Sequence, residues 1–266
     1  MFEGFSKEAL DFLLGIKFNN NKEWFEERKN IYTDKVYEPL KALGEEIYAP
    51  FSETDGMIYK VGRIYRDEKF PPYLHYRDTM WIYVRYEAYW WNKTPTLYFE
   101  LSPEGAEFGF RIAKPEAAVM ERFRSQLTED WKPFLEMIDK LEANGIEIGG
   151  EEYKRKKPCT VPEAERFFLK KGLSAFVKVS GRELYSHKLA EHVIKVFKEL
   201  MPLNNYFHEL VEIEELAKAV IREDTPETPE EPINMVKAPD VVEKKEENFS
   251  NIILIYFHKP VDKFST

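Results

Sequence analysis

Cysteine is almost absent: Cys159 is the only one in 266 residues. A lone cysteine excludes an internal disulfide framework and a cysteine-rich zinc site. Long apolar runs are missing as well, and none approaches the roughly 18 residues that a membrane span needs. The apolar stretch at the N-terminus is broken by Glu3 and Asp11 and does not read as a secretory signal. A soluble, cytoplasmic protein with no membrane partner is the expectation. Positive charge is in deficit, with 39 Lys and Arg against 48 Asp and Glu, net -9. That weighs against a general electrostatic grip on nucleic acid, without excluding it. There is no G-x-G-x-x-G, no G-x-x-x-x-G-K-(S/T), no G-x-S-x-G and no H-E-x-x-H. His187 and His192 are five apart, which fits no helical ligand pair. No metal, cofactor or catalytic residue is assigned from these patterns.

Aromatic residues are plentiful: 5 Trp, 15 Tyr and 20 Phe. They are unevenly placed. Tyr73 to Trp91 holds eight aromatics in 19 residues, where about three follow from the chain average. The same part of the chain reverses the charge balance. Met57 to Lys93 carries seven bases (Lys60, Arg63, Arg66, Lys69, Arg77, Arg85, Lys93) and four acids, net +3 in an otherwise acidic protein.

Periodicity gives an α+β fold: a mostly antiparallel central sheet with helices before and after it in sequence. Ser6 caps a short helix with Leu10, Leu13 and Leu14, and Asn20 or Asn21 caps a second with Trp24, Phe25 and Ile31. Pro39 starts a third helical stretch. Strand patterns cover Met57–Tyr65, Thr79–Tyr86, Thr96–Leu101 and Ala106–Ile112, the last two flanking a hairpin-like Ser102–Gly105 loop. Helices follow from Lys114 and from Pro133, then short strands at Ile146–Ile148 and Ala175–Val179. Two further helices are expected at Leu189–Leu200 and Phe207–Ile221. Residues 1–221 read as one α+β domain. Residues 222–247 hold four prolines, nine acids and four bases, an acidic linker composition. Residues 248–266 return to a strand-like pattern, apolar on both faces, which pairs within this chain's sheet, adds to a partner's, or swaps in a homodimer.

Side chains flip faces at every strand residue. Met80, Ile82, Val84, Leu97, Phe99, Leu101, Phe108, Phe110 and Ile112 therefore form a core face. Trp81, Tyr83, Arg85, Tyr98, Glu100, Glu107, Gly109 and Arg111 form the opposite, wet face. An aromatic floor with cationic walls suits sugars, nucleotides or single strands by stacking, unless helices cover it. Gly109 leaves room for a ligand or for another backbone. The asparagines of Asn19–Trp24 read as helix caps, with Trp24 and Phe25 entering the core.

Two stretches carry a resemblance: N-N-N-K-E-W-F-E-E-R-K-N-I-Y at Asn19–Tyr32 and R-I-Y-R-D-E-K-F at Arg63–Phe70. Together they resemble the bacterial domain of unknown function family 2461, whose signature runs R-x-x-R-D-x-R-F-x-x-x-(D/N)-K-x-x-Y. Arg63, Arg66, Asp67 and Phe70 match it, and Lys69 replaces an arginine, keeping the charge and losing the bidentate fork. Leu74, His75 and Asp78 depart from its second half. The resemblance implies a fold and a site but no reaction. An extended strand puts Arg63 and Asp67 roughly 13 Å apart, so a compact site needs a bend near Asp67 or partners from elsewhere. Asp67 paired with Arg66 or Arg77 leaves a guanidinium for an anion. If there is catalysis, Asp67 is the general acid/base candidate.

The ligand-binding candidates are therefore Arg63, Arg66, Asp67, Lys69, Trp81, Tyr83, Arg85, Tyr98 and Arg111, for a small anionic or sugar-like ligand. A single-stranded nucleic-acid module and an interaction module using the C-terminal strand are the alternatives.

Overall fold

The computed structural model describes residues 1–67, 69, 72–88, 93–155 and 158–223, with the side chains of its last helix described as far as Leu216. The expected terminal strand at 248–266, the linker from Asp224 onward, Phe70 of the signature and three aromatics of the cluster (Tyr89, Trp90, Trp91) lie outside the described residues.

Three helical stretches open the chain. Ser6 starts α1 (Lys7–Phe18), its hydroxyl accepting the Ala9 N–H at 3.2 Å. Asn21 starts α2 (Lys22–Ile31) by accepting the Trp24 N–H at 2.9 Å. Both caps satisfy donors that a helix cannot pair internally. α2 does not stop before Pro39. It runs through a widened π turn, Tyr32–Tyr37, into α3 (Glu38–Tyr48), where Pro39 occupies the first turn.

A single six-stranded sheet follows, antiparallel throughout: β1 (Met57–Val61), β2 (Met80–Tyr86), β3 (Thr96–Ser102), β4 (Gly105–Ile112), β5 (Glu147–Gly149) and β6 (Leu173–Val179). The spatial order is β1-β2-β3-β4-β6-β5. Between β4 and β5 lie α4 (Ala117–Glu129) and α5 (Lys132–Ala143), and the short α6 (Glu165–Phe168) precedes β6. α7 (Lys188–Glu223) closes the described chain as one helix. The two helices expected there are joined straight through Pro202. Its missing N–H removes one helical bond, but Leu200, Leu203, Phe207 and Leu210 continue the buried stripe on both sides of it.

All nine residues assigned to the core face are buried. Helices reach that face through specific contacts. Gly44 of α3 sits over Val61 and Ile82, Phe5 stacks on Phe99, and Phe110 meets Phe207 of α7. A second aromatic cluster, Phe123, Phe134, Phe167 and Phe207, locks α4, α5 and α6 to α7 with ring centroids 4.9–5.1 Å apart. Burying each such ring contributes about 1.5–3 kcal/mol.

The strand expected over Met57–Tyr65 ends early. The Gly62 N–H still pairs with the Trp81 carbonyl at 2.8 Å. Beyond it Ile64, not Arg63, turns into the core, so the alternation slips and the chain leaves the sheet. It returns at Met80 after a hairpin held by Arg66 N–H to His75 carbonyl (2.9 Å) and Arg77 N–H to Ile64 carbonyl (2.8 Å).

Candidate functional site

Register confirms the second face: Tyr83 lies opposite Tyr98, Trp81 opposite Glu100, and Tyr98 opposite Gly109. That face is less wet than its alternation suggests. Trp81, Arg85 and Tyr98 are only 8%, 6% and 2% exposed. Trp81 and Arg85 both pack on Tyr83. Trp81 and Tyr83 stack at 5.2 Å with planes 5° apart, and the Arg85 guanidinium rests 4.9 Å from the Tyr83 ring. Residues 81 and 85 flank 83 along one strand face, so the Tyr83 ring is sandwiched. Trp81 also leans over Gly62, where a Cβ would fall 2.4 Å from the indole.

Across the sheet, Tyr98 and Arg111 belong to a closed network. The Tyr98 hydroxyl donates to Glu107 Oε1 at 2.6 Å, and Arg111 lies 4.0 Å over the Tyr98 ring. Arg111 pairs with Glu100 at 3.7 Å. Burial is the main reason the Glu100 carboxyl sits above the ordinary carboxylate range, with Arg111 pulling the other way. Burial and the bond to Glu107 likewise lift the Tyr98 phenol. Gly109 serves a backbone: a Cβ there would fall 2.1 Å from the Ala175 carbonyl oxygen of β6.

The signature residues form the hairpin rather than one compact cluster. Arg66 does not pair with Asp67. Its Nε donates to the Tyr76 carbonyl at 2.9 Å, and its Nη2 lies 3.6 Å from Asp78. Arg77, 3% exposed, donates through Nη1 to the carbonyls of Arg63 and Tyr65 at 2.6 and 2.8 Å. Burial, then the neighbouring Arg66 charge, lowers its pKa to about 10. Asp67 instead accepts the Lys69 N–H at 3.1 Å, a local turn between a half-buried carboxylate and an exposed lysine. The hairpin geometry overrides the expected pairing because Tyr76 and Asp78 come back across from Arg66, whereas Asp67 is carried toward the tip.

Three cations remain beside the ring stack. Lys60 of β1 is opposite Tyr83, and cross-strand partners share a face. Arg85 is the next outward residue of β2 after Tyr83, and Arg63 is exposed where the chain leaves β1. Lys60 is held below its usual range, first by burial and then by Arg63 and Arg85. No carboxylate lies within ion-pair distance of any of the three among the described residues. The Arg85 Nε and the Trp81 Nε1 are buried without a hydrogen-bond partner.

Lys60 stands outside the expected candidates, although alternation along M-I-Y-K-V turns it to the second face. Arg77 entered only as a possible partner of Asp67, and Asn20 only as a helix cap; their carbonyl and backbone partners come from segments that no local pattern joins. His192 and His208 lie elsewhere, while His75 sits in the signature hairpin. His208 stacks on Tyr86 at 3.8 Å, and His192 pairs with Glu183. His208 lines a cleft of about 220 Å³ with Glu87, Lys93, Glu116 and Glu212. Among the described residues no three His, Cys, Asp or Glu are grouped to hold a metal ion, and no helix is long and apolar enough to cross a membrane. Cys159 is half-buried, its thiol donating to the Val161 carbonyl at 3.0 Å.

A search of curated proteins returned no match. The family model described as conserved hypothetical protein (DUF2461) matches residues 8–206, from within α1, through the signature hairpin and the whole sheet, into α7. The chain belongs to this family.

Proposed function

We propose that this protein binds a small anionic ligand at the Lys60, Arg63 and Arg85 corner of the sheet. The observation that supports the reading is Arg85. A guanidinium 6% exposed, with a buried N–H unpartnered and no carboxylate beside it among the described residues, is costly in a folded protein. A bound anion would supply the missing counter-charge and acceptor. Arg63 and Lys60 give that anion a cationic approach from the exposed side. Arg66, Asp67, Lys69, Tyr98 and Arg111 move out of the contact set in this reading. Arg66 shapes the hairpin that presents Arg63, while Tyr98 and Arg111 belong to the adjoining network.

Rings filled on both sides leave little platform for nucleobases, so single-strand binding is the lesser reading. Thermal shift across phosphate, sugar phosphates, dicarboxylates, neutral sugars and nucleosides tests the proposal. Anions should raise the midpoint of the full chain, and Arg85→Met should abolish the rise. Stabilisation by neutral sugars alone, or an anion effect that survives Arg85→Met, would sink it.

A further inference from the structure

The donors at this corner also have a shape. Lys60 brings three N–H groups from β1, Arg85 a guanidinium edge from β2, and Arg63 a second fork from the hairpin. Trp81 Nε1 adds an unpartnered buried donor on the same face. Every one of these groups donates and none accepts. Arg85 spends one N–H on the Tyr86 carbonyl at 3.5 Å, a marginal bond. The guanidinium is held beside the Tyr83 ring, its Cζ 4.9 Å from the ring centre.

Resting on the anion-site reading above, we infer that the ligand group is a phosphate, free or as a monoester, gripped by Lys60, Arg63 and Arg85. A carboxylate presents two oxygens in one plane and a single charge. A phosphate monoester presents three oxygens in different directions and close to two charges. Donors arriving from two strands and a loop match the second pattern, and three cations with no carboxylate beside them among the described residues call for more than one negative charge. The lowering of Lys60, first by burial and then by Arg63 and Arg85, agrees with a corner that has no anionic charge beside it among the described residues. The ring stack orients Arg85 and has no face to offer a base, which separates this site from one that reads a nucleotide through its ring.

Calorimetric titration of the full chain with inorganic phosphate, methyl phosphate and malonate tests the inference. Phosphate and methyl phosphate should bind at least about tenfold more tightly than malonate. Lys60→Met and Arg85→Met should each weaken phosphate by at least about tenfold, while Lys178→Met, a control on the same sheet face, leaves it unchanged. Arg85→Met should also melt no lower than the wild type, because it replaces an unpaired buried charge by an apolar stem; that readout separates loss of binding from loss of fold. Equal or tighter binding of malonate overturns the phosphate assignment and leaves the anion site standing. Absence of any Arg85-dependent anion binding overturns both.

Discussion

Asn20 closes both backbone groups of Tyr76, its Oδ1 accepting the Tyr76 N–H and its Nδ2 donating to the Tyr76 carbonyl, each at 2.9 Å. One side chain thus does what a neighbouring strand would do, 56 residues away in sequence. Phe25, one turn further along, stacks on the Tyr76 ring at 4.2 Å. The N-terminal helices and the signature hairpin are joined there. Asn20→Ala should lower stability by about 1–2 kcal/mol, because the Tyr76 N–H loses its acceptor while its carbonyl keeps Arg66. Asn20→Asp, which retains the acceptor, should recover part of the loss. Urea unfolding of the two variants checks this, and equal midpoints for Ala and wild type would rule out the clamp.

Arg124 is a buried cation of another kind, each of its three nitrogens bonded to a carbonyl. It donates to Met120, Phe168 and Lys170 at 3.1, 3.1 and 2.8 Å, tying α4 to the turn that leads into β6. Arg124→Met should destabilise by about 3 kcal/mol, since three acceptors lose a charged donor at once. A lower denaturant midpoint at unchanged slope is the expected signature.

Pro202 interrupts the bonding of α7 at an exposed position. Pro202→Ala restores an N–H that can reach the Lys198 carbonyl. The gain should be about 1–2 kcal/mol after allowing for the freer unfolded chain. The melting temperature should rise by about 2–4 °C per kcal/mol. An unchanged or lower melting temperature would mean that the helix depends on the proline.

His208 is pushed below its ordinary value of 6.5, burial outweighing the opposing pull of Glu212 and Glu209. A depressed folded-state pKa means that the unfolded chain binds the proton more readily. The stability this neutral ring provides is therefore complete above about pH 6.5 and is lost as pH falls, levelling off only once the folded ring itself titrates. His208→Phe keeps the stack on Tyr86 and removes the titration. The stability difference between variant and wild type should shift in favour of the variant between about pH 7 and 5. A pH-independent difference would show that the ring does not titrate differently in the two states.

What was legible in the sequence is what depends on local period or local caps. Ser6 and Asn21 cap where their spacing says they should, and Met80, Ile82 and Val84 face the helices as alternation requires. Legibility ends where distant segments meet. Arg66 faces Asp78 rather than the adjacent Asp67 because a hairpin, not a strand, carries them. The sheet's second face is patterned as solvent-exposed, yet Trp81 and Tyr98 bury themselves by lying on Gly62 and beside Gly109, which no one-strand pattern reveals. Pro202 reads as a helix break because propensity is local, while the buried stripe that carries α7 across it comes from packing.

The π turn between α2 and α3 has a mechanical consequence. Tyr32, Val36 and Leu40 are all buried and four residues apart. In an ordinary helix four residues overshoot a full turn by about 40°; the i→i+5 bonding of the widened turn lowers the rotation per residue and so reduces that drift. Removing one residue from Tyr32–Tyr37 would let the rod revert to a regular pitch and twist its two halves against each other. α3 would stay seated on the sheet while α2 swung Phe25 and, through Tyr76, the loop that bears Arg63. The length of this one turn is an alignment screw for the cationic corner, coupled to it through the Tyr32 hydroxyl, which accepts the Ile64 N–H beside Arg63 at 3.4 Å.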